Sequence, residues 1–149
     1  MKKLFLCIIL FSISYIVNST EQRYKGISVK IPDSWDMKGT IIYNETDKKV
    51  GEVKSKKSWP YKTGDDFIKK YKKRFFDDPE DTRFIKSGSN GNVFWVCRSG
   101  GYSDGKGGYG IWYTRTFWVN GPILQLHSHK SCDDEFDKAL NIAKTLKES

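Results

Sequence analysis

The sequence predicts an α+β fold in which an antiparallel β-sheet of about six or seven strands is flanked by helices on both faces, an α/β/α sandwich. Three observations lead there. Val93–Arg98 and Ile111–Val119 carry large apolar residues at both odd and even positions, as central strands covered on both sides do. Val119-Asn120-Gly121-Pro122 sets Asn-Gly between two β-rich runs, a strong hairpin signal because a type I′ turn needs positive φ at both central residues. Asp66–Phe76 and Cys132–Leu146 repeat apolar residues at helical spacing, which marks two amphipathic helices.

At the N-terminus, Lys2 and Lys3 precede an apolar run from Leu4 to Val17, and Val17 and Ser19 occupy the −3 and −1 places of a cleavage site. Residues 1–19 therefore read as a secretory signal peptide, and residues 20–149 as a single domain. The run is short for a membrane span, which needs about 20 apolar residues, and no lipobox precedes Cys7. A periplasmic or secreted protein without a stable span after cleavage is the expectation. Loss of Lys2 and Lys3 takes 26 basic residues to 24 against 18 acidic ones, leaving a net charge of +6.

Ile27-Ser28-Val29-Lys30-Ile31 alternates strictly and reads as a half-buried strand, stopped by Pro32-Asp33-Ser34-Trp35. Gly39–Tyr43 and Val50–Lys54 follow as strands around the polar Asn44–Asp47 turn. Thr63 or Asp65 caps the first helix, which places Phe67, Ile68, Tyr71 and Phe75 on one stripe and lysines opposite. The acidic run from Asp77 to Asp81 lacks the spacing and central glycine of a calcium loop, so a helix-ending loop accounts for it. Phe84–Ser87 is a short strand.

Pairing Val119 with Pro122 fixes the register of the central meander. Phe117 then faces Leu124, Arg115 faces Leu126, Thr114 faces His127 and Trp112 faces His129. One face carries Ile111, Tyr113, Phe117, Val119, Leu124 and Leu126. The other carries Trp112, Thr114, Thr116, Trp118, Gln125, His127 and His129. The final helix is expected from Cys132 to Leu146, with Ser131 as its N-cap and Asp133, Asp134 and Glu135 in its first turn. Cys97 and Cys132 are the cysteines left after cleavage, and an oxidising compartment makes them a candidate disulfide.

The strand ending in Pro32-x-x-Trp35, the mid-chain amphipathic helix, the long meander and the C-terminal helix together resemble the PsbP family of extrinsic photosystem proteins and their exported bacterial relatives, over Gly26 to Leu146. The motif-like piece is Ile27-Ser28-Val29-Lys30-Ile31-Pro32-Asp33-Ser34-Trp35. The resemblance implies an antiparallel sheet sandwiched between helices. It also implies a protein-binding or immunity-type role, because immunity proteins of secretion systems are similar to the family. No residue's role is carried over.

The candidate site is the end of the sheet where Gly100–Gly108, with five glycines in nine residues, joins the neighbouring strands, since adaptable glycine-rich loops often bind. Arg98, Tyr102, Asp104, Lys106, Tyr109, Trp112, His127 and His129 are its expected partner-binding residues. Gly105-Lys106-Gly107 lacks the spacing of a phosphate loop and no helix follows it. His127 and His129, with Asp133 or Asp134, form a weak zinc signal, and no nucleophile elbow accompanies Ser99, Ser103 or His127. The expectation is thus a non-enzyme without cofactor or metal, an immunity or inhibitor protein that occludes the active site of a secreted toxic effector. Its positive charge predicts an acidic contact surface on that effector. Scattered lysines and the absence of any nucleic-acid-binding motif exclude a nucleic-acid partner. Two other readings stay open: an accessory factor of an envelope complex that docks through the lysines of the first helix, and a small hydrolase or metal-dependent enzyme around His127 and His129.

Overall fold

The computed structural model describes residues 18–58, 60–76, 82–103 and 105–149. Along the chain these form β1 (Ser19–Tyr24), β2 (Ile27–Pro32), β3 (Asp36–Lys38), β4 (Ile41–Tyr43), β5 (Lys49–Lys54), α1 (Gly64–Phe76), β6 (Thr82–Asn90), β7 (Val93–Ser103), β8 (Tyr109–Val119), β9 (Ile123–Ser128), α2 (Phe136–Ala143) and β10 (Lys147–Glu148). Seven strands make one antiparallel sheet in the order β3-β4-β5-β9-β8-β7-β6, and β1-β2-β10 make a second. The signal peptide falls almost wholly outside the described residues, as does the acidic run Asp77–Asp81.

The hairpin after β8 closes as its turn chemistry requires. Val119 N–H donates to the Pro122 carbonyl at 3.1 Å, with φ of 52° at Asn120 and 135° at Gly121. The register is the expected one, with Phe117 opposite Leu124, Arg115 opposite Leu126 and Thr114 opposite His127. Neighbouring residues of β8 then enter different cores, because side chains alternate along a strand. Phe117 and Val119 pack with Leu124 and Leu126, with Ile27, Val29 and Ile31 of β2, and with Ala139, Leu140 and Ala143 of α2. Trp118 instead joins Val96, Ile123 and the α1 residues Phe67 and Tyr71. Each fully buried side chain of this size contributes roughly 1.5–3 kcal/mol relative to exposure.

Helix α1 starts directly after Thr63, whose Oγ1 accepts the Asp66 amide at 3.1 Å. Asp66 in turn pairs with Lys70 one turn on, at 3.0 Å. Beneath the helix lies a buried polar triad: the Tyr71 hydroxyl is 2.9 Å from Thr116 Oγ1, and Gln125 Nε2 donates to both, at 2.9 and 3.1 Å.

Five expectations need correction. The strand read as Gly39–Tyr43 is only β4, Ile41–Tyr43, and it pairs with an unexpected strand before it, β3, because Gly39 turns between them with φ +65°. The second sheet lacks a sequence signature in β1, whose residues STEQRY are polar; only β2 carries its apolar face.

The final helix is shorter than Cys132–Leu146. Ser131 Oγ does accept the Asp133 and Asp134 amides, at 3.2 and 3.1 Å. It caps a loop, however, because Glu135 adopts φ 48° and α2 begins only at Phe136. Three tethers hold that loop: the Cys97–Cys132 disulfide, the Ser128 hydroxyl donating to Asp134 at 2.7 Å, and the Arg115 guanidinium donating to the Asp134 carbonyl. After Ala143 the chain turns, and β10 pairs with β2.

Lastly, the glycine-rich loop is half its expected length. β7 and β8 stay paired as far as Ser103 opposite Tyr109. Gly100 and Gly101 are strand residues whose missing side chains make room for rings: a Cβ would sit 2.2 Å from Trp112 at Gly100 and 1.7 Å from the Tyr109 hydroxyl at Gly101. β6 is likewise longer than expected and carries a bulge between Phe84 and Lys86.

The disulfide is present as expected, with a Cα separation of 6.0 Å, inside the range that unstrained bridges span. Such bridges persist in oxidising compartments.

Candidate functional site: a cationic hollow beside a projecting hairpin

Period-two alternation brings Arg98 of β7, Trp112 and Thr114 of β8 and His127 of β9 onto one face, since Arg98 pairs with Thr114 and Thr114 with His127. Lys49 of β5 and His129 complete the rim of a hollow of about 340 Å³. Trp112 lies flat over Gly100, and the Arg98 guanidinium stands 4.8 Å from the Trp112 ring centre, a cation–π geometry worth about 0.5–1 kcal/mol at an exposed site. This stack holds both side chains at the mouth.

His127 is half-buried beside the fully buried Thr114. Its Nδ1 is 2.9 Å from Thr114 Oγ1. Burial, reinforced by Lys49, Arg98 and His129 and opposed by Glu52, pushes its pKa down to about 4. The imidazole is therefore neutral at physiological pH, and the cations of the hollow are Arg98 and Lys49, the latter paired with Glu52 at 3.3 Å. His127 is thus a neutral histidine beside Thr114, with Lys49, Arg98 and Glu52 around it.

The structure gathers Arg98, Trp112, His127 and His129, and separates them from the rest of the expected set. Tyr109 pairs with Ser103, three residues farther out than Trp112, on the order of 10 Å along the strand. It shares its face with Ile111, opposite to the face of Trp112. Tyr109 is 68% exposed and Ile111 50%, so the outer hairpin presents an apolar surface on the face opposite the cationic one. Lys106 lies at the exposed tip, where the Gly105 amide donates to Ser103 Oγ at 3.3 Å. Asp104 and the side chain of Tyr102 lie outside the described residues.

Asp133 and Asp134 do not join the histidines. Asp133 pairs with Lys86, and Asp134 accepts from Ser128. Among the described residues no three histidine, cysteine or acidic side chains gather as a metal site would require, and no helix is long and apolar enough to cross a membrane. Sequence reasoning missed Lys49, because the β5–β9 pairing that brings it in carries no turn signature. Ile111 was placed on the correct face but not recognised as exposed.

The molecule is a mostly-β domain of a seven-stranded antiparallel sheet, a small second sheet and two helices. Among solved structures it is similar to the solution structure of cyanobacterial PsbP (CyanoP) from Synechocystis sp. PCC 6803, at 14% sequence identity and a TM-score of 0.41, over 94% of this chain and 99% of that one. That structure belongs to the family whose layout the sequence resembles, and the likeness assigns no residue a role. No family model and no curated protein matches the chain.

Proposed function

We propose that the chain is an exported, non-catalytic binding protein of the immunity or inhibitor type, which neutralises a secreted toxic effector by covering its active site with the β7–β8 end of the sheet. The observation that carries this reading is the pairing of a cationic hollow (Lys49, Arg98) with a projecting, partly apolar hairpin (Tyr109, Ile111). Interfaces are dominated by aromatic and arginine anchors, and both stand here on rigid strands. The hollow receives an acidic side chain of the effector, and the hairpin enters its cleft. In this reading the large sheet is the middle layer, with α1 on the Trp118 side and α2 with the small sheet on the Phe117 side. That layering leaves its far end free for contact.

The test is capture of partners from secreted and envelope fractions by the chain from Thr20 onward, followed by mass spectrometry and inhibition assays. A stoichiometric effector whose activity falls on binding is the expected result. Arg98→Glu combined with Tyr109→Ala should then weaken the complex by more than about tenfold. Equal affinity of that double variant sinks the assignment of the interface.

A second reading draws on α1, whose Lys69, Lys70 and Lys73 are exposed. An accessory factor of an envelope complex would dock there. Replacement of those three lysines by glutamine would abolish its association while leaving effector binding intact.

A further inference from the structure

A second depression, of about 200 Å³, opens between the turn at Trp35, the β4–β5 turn and the start of α2. Its floor contains Arg115, which is only 4% exposed. The guanidinium carries five N–H donors. Nη1 donates to the Asp134 carbonyl, while Nε has no partner among the described residues. Burial opposes the guanidinium charge and the nearby carboxylates of Asp134 and Glu135 favour it, but a buried donor such as Nε is costly unless an acceptor meets it.

The mouth has the opposite polarity. Trp35 forms a wall, and its indole N–H donates to Glu45 at 3.2 Å. Glu135 stands across from it, held by the backbone turn that ends at α2. Between them lies the ammonium of Lys138, 4.9 Å from the Trp35 ring centre and 3.3 Å from Glu135 Oε1. The protein's own side chain thus marks a place where an ammonium is held by an aromatic face and a carboxylate. One cleft therefore combines a buried guanidinium at its base with a cation seat at its rim.

We propose that this cleft is a binding site for a small zwitterion of the α-amino-acid class, its carboxylate on Arg115 and its ammonium in the seat that Lys138 fills in the free protein. The volume sets the size of the ligand, being below the roughly 300–1,000 Å³ of pockets for drug-sized molecules. The buried donors set its specificity, because a site built to hydrogen-bond a group rejects analogues that lack it. Lys138 swings outward on binding. Free amino acids and whole short peptides both carry the required pair of charges. The cleft shares only His127 with the cationic hollow, and neither Arg115 nor Lys138 belongs to the hollow, so failure here leaves the effector reading untouched.

The test is calorimetric titration of the purified chain with L-alanine, D-alanine, glycine and alanyl-alanine, with the Trp35 indole N–H followed by NMR. Saturable binding at millimolar concentration or tighter is expected, and whichever of the free amino acids or the dipeptide binds better names the source. N-acetylalanine and alaninamide should each bind at least about tenfold more weakly, having lost one charge. Lys138→Ala empties the seat and should tighten binding several-fold, an effect that a merely structural lysine would not produce. Glu135→Gln, at an exposed position, should weaken it. Absence of saturation up to about 10 mM, equal binding of acetate or methylammonium alone, or weaker binding by Lys138→Ala would overturn the proposal.

Discussion

His127 is a residue whose environment sets a pH dependence. Its pKa falls from the usual histidine value to about 4 on folding, so between pH 6.5 and 4 the unfolded chain binds the proton that the folded chain refuses. The stability this contributes is fully present above about pH 6.5 and is lost as pH falls toward 4, by roughly 1–3 kcal/mol after allowance for its partial exposure. Thermal melts of the wild type and of His127→Asn across that window check this: the variant should lose less stability on acidification. Gly100 yields a second prediction. Alanine there drives the Trp112 ring from its seat, which breaks the stack with Arg98 and costs about 1–3 kcal/mol. Urea melts measure the cost, and a change in tryptophan fluorescence reports the displaced ring. At this scale much could be read in advance. Arg98, Trp112 and His127 were placed together by alternation and one Asn-Gly turn. Tyr109 turns to the other face, which stays hidden because glycine-rich sequence does not distinguish a loop from a strand whose glycines make room for rings.

At the scale of elements, the strands with strong alternation and the Thr63-capped helix formed where periodicity placed them. The second helix shows what periodicity omits. Its apolar stripe is correct, with Ala139, Leu140, Ala143 and Leu146 all buried, but the residues from Cys132 to Glu135 obey tethers instead of propensity. A disulfide, a buried arginine and a serine hydroxyl each hold that loop from outside it, and the first two of those contacts are distant in sequence. β10 escaped notice for a similar reason, since it exists only where β2 offers it an edge. The disulfide is the tether with the largest expected effect. Its cysteines are 35 residues apart in sequence, and loop entropy for that separation predicts a loss of ~4 kcal/mol in the Cys97→Ser, Cys132→Ser double variant. Equilibrium unfolding gives the value. A loss below about 1 kcal/mol would mean that Arg115 and Ser128 hold the loop unaided.

For the whole molecule, charge and topology govern encounters. The chain carries 26 basic against 18 acidic residues, and a net positive domain meeting an acidic surface associates more slowly as salt screens the attraction. Stopped-flow association with a captured partner should therefore slow by about tenfold or more between 20 and 500 mM salt, with a smaller change in dissociation. A salt-independent on-rate would contradict an acidic contact. The two outer strands of the large sheet bear on the same encounter. β3 is three residues long, and β6 is broken by the bulge at Phe84/Lys86 and carries Arg83 and Lys86. Short, bulged and charged margins resist being extended by another chain's backbone. The domain is thereby guarded against templating fibres, even though Ile85 lies 45% exposed on that margin, and any partner it keeps must be gripped by side chains instead of being stitched on as an eighth strand.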